Sequence, residues 1–152
     1  VTARRDPAST TEQATASSGA RRNTVTLPLW CLVIVAFLPV PLAFMGGAAR
    51  AEAFGDADNK LPRAQAARLE GRGARIYAAQ ENAWEATILF SVAVLTTHLA
   101  GLDPAKAAPW TIAFVVFRVL HAVTYVADMD KARSGAFILG MVCIIALFVQ
   151  AA

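Results

Sequence analysis

Long apolar runs separated by short polar breaks dominate the chain after its first residues. Leu27–Ala49 is the first run, long enough at about 1.5 Å per residue to cross a hydrocarbon layer of about 30 Å. Its length and the lack of a small-residue cleavage pattern argue against a secretory signal. Pro39 and Pro41 fall in mid-run and predict a kink, whose freed carbonyls neighbouring helices must satisfy. Arg50–Gly73 is a polar connection, followed by a second run, Ile76–Ala100. A turn over Gly101–Ala108 carries Asp103-Pro104, a helix-start signal. Pro109–Ala127 is the third run, Asp128–Arg133 a tight charged loop, and Ser134–Ala151 the fourth run. The pattern predicts an all-α membrane protein, an antiparallel four-helix transmembrane bundle over residues 27–152. Residues 1–26, rich in Ser, Thr and Ala with two Arg pairs, predict a disordered tail or a targeting remnant.

Composition agrees with a lipid bilayer as the main partner. Apolar residues make up 57% of the chain and charged residues 16%, against about 25% charged in soluble domains. The net charge of +3 does not point to nucleic acid, because the arginines lie in the tail and beside apolar runs, with no basic patch interleaved with aromatics. Lys and Arg concentrate in the first and third loops, which predicts both loops to be cytoplasmic. The Ala- and Arg-rich composition suits a bacterial inner membrane. Cys31 and Cys143 sit inside apolar runs and read as small hydrophobes. His98 and His121 lack neighbours at metal-ligand spacing, so no metal site is expected.

Candidate chemistry centres on Arg75–Phe90, RIYAAQENAWEATILF. On a helix Arg75, Ala78, Asn82 and Glu85 share one stripe, which puts a carboxylate at the mouth of a span, where it needs a partner. Arg118, His121 and Tyr125 share a face of the third run. Counting back from the turn sets Tyr125 at about the depth of Glu85, His121 deeper, and Arg118 deeper still. A snorkelling arginine closes that gap, so a buried Glu85–Arg118 ion pair is expected. Arg133 and Ser134 open the fourth run on the same side. Asn82, Glu85, Arg118, His121, Tyr125, Arg133 and Ser134 thus define a polar pocket at the cytoplasmic end. Two readings stay open at this point, structural glue between helices and a ligand site. Trp84 and Trp110 read as belt or packing residues, and one polar cluster at one end does not make a channel.

Two segments resemble the MAPEG family, the membrane-associated proteins of eicosanoid and glutathione metabolism. RIYAAQENAWEATILF looks like the family's second-helix signature, an Arg followed by Asn-x-x-Glu. RVLHAVTYVADMDKARS is similar to the third-helix signature Arg-x-x-His-x-x-x-Tyr followed by Arg-Ser, as in the microsomal prostaglandin E synthase branch. The resemblance covers roughly residues 27–151 and implies a homotrimer with glutathione between neighbouring subunits near the cytoplasmic face. Asn82, Glu85, Arg118, His121 and Tyr125 would then bind glutathione, with Arg133 and Ser134 catalytic at its thiol. Arginine forks suit its two carboxylates, Glu85 its ammonium, and Arg133 or Ser134 a thiolate. Two positions depart from the pattern. Glu81 stands where a basic residue precedes the Asn, and Leu89 replaces a proline. The implied activity is that of a glutathione-dependent transferase or peroxidase acting on a lipophilic electrophile. The alternative is a non-catalytic accessory subunit of a larger membrane complex, or a lipid-binding module on the same scaffold.

Overall fold

The computed structural model describes residues 24–152, so the tail expected over 1–26 lies almost wholly outside the described residues. Every element among the described residues is helical: α1 (Leu27–Phe37), α2 (Pro39–Phe54), α3 (Pro62–Ala66), α4 (Gly71–Leu99), α5 (Pro104–Val126) and α6 (Asp130–Ala151). Pro39 has no N–H to donate. At the break the Leu38 N–H instead bonds the Val35 carbonyl at 3.1 Å, where the kink was expected. The apolar stretch continues across it as Leu27–Phe54. Gly55, at φ 81°, ends α2 in the left-handed conformation that a side chain disfavours.

The turn between the second and third runs is shorter than the sequence reading had it. Asp103 caps α5 by accepting from the Ala105 N–H at 2.9 Å, and Pro104 occupies the first turn, where no N–H is needed. The helix therefore starts at Pro104, and Pro109 lies inside it at the cost of one backbone bond. The charged loop shortens likewise, because α6 begins at Asp130 and only Ala127–Met129 connect it to α5. Asp128 makes that turn with a φ of 64°.

Packing places α4 and α5 at the centre, α1 and α2 on one flank and α6 on the other. The most extensive interface joins α5 to α6. The core centres on Phe90 and Phe114, stacked with centroids 4.1 Å apart and planes 10° off parallel. Val35, Ala93, Leu147, Cys31 and Cys143 close around them. In lipid such packing is driven by dispersion and close approach rather than by escape from water. Gly46 shows this: a Cβ there would meet the Tyr77 ring at 2.8 Å, so α2 and α4 approach closely because the position is glycine. Large apolar side chains such as Phe44, Ile88, Leu99 and Val149 face outward.

Three stretches, Leu27–Phe54, Pro104–Val126 and Asp130–Ala151, are long and apolar enough to cross a membrane. The helix α4 falls short because its first half carries Arg72, Arg75, Glu81, Asn82 and Glu85. Its second half, from Ala86, is apolar apart from Ser, Thr and His98. The chain is therefore an integral membrane protein with three to four spans.

Candidate functional site

The short α4–α5 turn sets the register of the whole site. Near the open end of the hairpin, the Arg75 Nε–H donates to the Val126 carbonyl at 3.4 Å, and its guanidinium pairs with Asp128 at 3.2 Å. Seven residues further along α4, Asn82 lies level with Arg118. Tyr125 is thus near the depth of Arg75 rather than of Glu85. The expected depths were displaced because the helix start was put at Pro109 instead of Pro104.

The expected Glu85–Arg118 ion pair is replaced by a three-residue relay. Arg118, 3% exposed, donates through Nη2 to the Asn82 side-chain oxygen at 2.6 Å and to the Asn82 carbonyl at 3.2 Å. The Asn82 amide in turn donates to Glu85 Oε2 at 3.2 Å. Asn82 is well suited to this place, since its amide accepts from a cation on one side and donates to an anion on the other. No direct Glu85–Arg118 ion pair forms, and the Glu85 side chain is exposed.

His121, also 3% exposed, follows Arg118 by one turn on the same buried face. Its ring meets the Tyr125 ring edge-on with centroids 5.6 Å apart. The Arg133 guanidinium lies over the other end of this group, 4.3 Å from the Tyr125 centroid, in cation–π geometry. The structure therefore brings together six of the seven expected residues as two linked groups, Asn82–Glu85–Arg118 and His121–Tyr125–Arg133. Ser134 stands apart: it is exposed, and its hydroxyl donates to the Asp130 carbonyl at 3.0 Å.

A cleft of about 130 Å³ opens beside the relay, bounded by Asn82, Glu85, Arg118, Phe114, Phe137 and Met141 among others. Phe137 was missed by sequence reasoning although it follows Arg133 by one turn, and its ring lies 6.3 Å from His121. Phe114 was missed too, one turn before Arg118. Nothing in the helical spacing singles either out until α4, α5 and α6 come together. Glu81, the acidic departure, is exposed and borders a different groove with Arg63, Tyr77 and Trp84. Two buried atoms of the site, Arg118 Nε and His121 Nδ1, have no hydrogen-bond partner among the described residues. Buried polar groups are nearly always satisfied, so this end of the bundle has unused capacity for a polar ligand.

An all-helical membrane bundle with a buried arginine relay at one end defines the class. The MAPEG family profile matches residues 27–152, and the chain belongs to that family. The family's fold is a four-helix membrane bundle, and its members typically bind glutathione. Neither a curated protein nor a solved structure matches this chain significantly.

Proposed function

We propose that the protein is a glutathione-dependent transferase or peroxidase acting on a lipophilic electrophile, of the microsomal prostaglandin E synthase type. The observation that carries this reading is the buried Arg118 guanidinium, held from one side by Asn82 with its Nε left free. Such a group is prepared for a carboxylate, which guanidinium binds in fork geometry. Bound glutathione supplies a nucleophilic thiol together with two carboxylates and an ammonium.

Arg118 and His121 would hold a carboxylate, while Glu85, oriented by Asn82, would take the ammonium. Arg133, fixed over Tyr125, would favour a thiolate by its charge. Ser134 contributes a hydroxyl only after turning away from the Asp130 carbonyl. A cleft of about 130 Å³ is small beside the ~300–1,000 Å³ usual for ligand sites. A neighbouring subunit would complete it, in keeping with a homotrimer, with the relay at the cytoplasmic face.

Calorimetry of the detergent-solubilised protein with glutathione tests binding, and turnover with chlorodinitrobenzene and a lipid hydroperoxide tests catalysis. Binding lost in Arg118→Met and turnover lost in Arg133→Gln are the expected results. No binding by the unmodified protein would overturn the reading. Binding without turnover of either substrate would favour the accessory or lipid-binding role, for which the engaged Ser134 hydroxyl is the supporting observation.

A further inference from the structure

On the flank away from the relay, α2 and α5 leave an apolar groove of about 480 Å³ between them. Leu38, Met45, Val119, Val123 and Val126 line it, and Arg72 is its one charged residue. Arg72 also borders a second, polar cleft of about 570 Å³ with Glu52, Arg68 and Glu70. One guanidinium therefore stands at the boundary between an apolar trough within the spans and a polar cleft beyond them.

The neighbouring cations are engaged. Arg75 is bound to Asp128 and the Val126 carbonyl, and Arg68 lies 4.9 Å from the centroid of the Phe54 ring. Arg72 has no ion pair or hydrogen bond among the described residues. It stands in the first turn of α4, whose N-terminus no side chain caps, so the helix dipole adds to its positive potential.

We propose that this groove is a binding site for a membrane phospholipid, with one acyl chain along α2 and α5 and the phosphodiester on Arg72. Charge complementarity selects this occupant. A phospholipid carries an anion and an apolar tail in one molecule, at the offset the bilayer interface imposes. A second copy of the chain would have to bring a carboxylate to the same point. The site is separate from the relay and independent of whether glutathione binds.

Native mass spectrometry of the full chain, delipidated in detergent and offered phosphatidylglycerol or a diacylglycerol of the same chains, tests the proposal. Charge-assisted contact, discounted for exposure, predicts about a tenfold preference for the phospholipid. Arg72→Gln is expected to abolish that preference. Val123→Trp, which fills the trough from an exposed position, is expected to reduce retention of both lipids; Met45→Trp serves if it does not fold. Equal retention of the two lipids by the unmodified protein would overturn the proposal, as would unchanged phospholipid retention in the variants. A smaller assembly mass in Val123→Trp with lipid retention unchanged would make the groove an interface between copies, and the proposal would fall.

Discussion

Two buried arginines, Arg118 in α5 and Arg50 in the last turns of α2, are satisfied in nearly the same way. Arg118, 3% exposed, donates to a side-chain amide oxygen and a backbone carbonyl, both of Asn82. Arg50, 7% exposed, donates to the Gln65 amide oxygen at 3.1 Å and the Asp58 carbonyl at 2.8 Å. Each leaves its Nε without a partner among the described residues. The difference lies in what the amide does next. Gln65 turns its NH₂ back to the Asp56 carbonyl at 2.8 Å and also accepts from the Asp58 N–H at 2.9 Å, so the clasp closes on its own loop. Asn82 instead passes its NH₂ to Glu85, an exposed carboxylate at a cleft between three helices. Burial of a charge is common to both. The first amide is spent within its own loop, whereas the second ends on a carboxylate at the cleft between α4, α5 and α6.

The comparison is broken most directly at Asn82. Asn82→Leu leaves the Arg118 charge buried with only a carbonyl, at a cost of about 3 kcal/mol, whereas Asn82→Leu with Arg118→Met should recover more than half of that. Unfolding in mixed micelles measures the cycle. Strictly additive losses would show that the two side chains do not support each other.

Gln65→Leu opens the clasp and should cost about 1–2 kcal/mol, with faster proteolysis between residues 55 and 70. Glutathione affinity is expected to stay unchanged. A fall in affinity without a fall in folded fraction would mean that the clasp belongs to the ligand site after all.

Gly46→Ala acts between the two regions, one turn before Arg50 and against the Tyr77 ring of α4. Overpacking there should cost about 1 kcal/mol, since the ring is the end of a movable side chain. Adding Tyr77→Ala should remove the clash; if the double variant is no more stable than the sum predicts, the close approach is not what limits this contact.

The smallest effect is expected at Arg75→Gln. Its partner Asp128 is 72% exposed, so the loss should be below about 1 kcal/mol and vanish at high salt. A salt-independent loss would place Arg75 with the buried arginines instead.

Much of the fold was legible in the sequence. Apolar runs of spanning length, Pro39 at the break and Asp103-Pro104 at a helix start all act through local chemistry that needs no partner. Six of the seven expected residues lie together because helical spacing puts them on shared faces. The direct Glu85–Arg118 pair was not borne out, because hairpin depth depends on where α5 begins. A helix cap at Asp103 outweighed the proline six residues later. The Arg50–Gln65 clasp went unseen for a different reason: a polar connection carries no periodicity from which to read a long-range bond.

The sequence by itself determined which helix faces carry the polar residues and roughly where each helix lay. Hydropathy, proline geometry and the 3.6-residue repeat act along the chain. Only the tertiary structure decided that Asn82, rather than Glu85, takes the Arg118 guanidinium. It also decided that Phe114 and Phe137 border the cleft and that Glu81 lies outside it. Those choices turn on axial register and rotation between helices. A shift of one turn there exchanges every side-chain partner while leaving the pattern of apolar and polar positions unchanged.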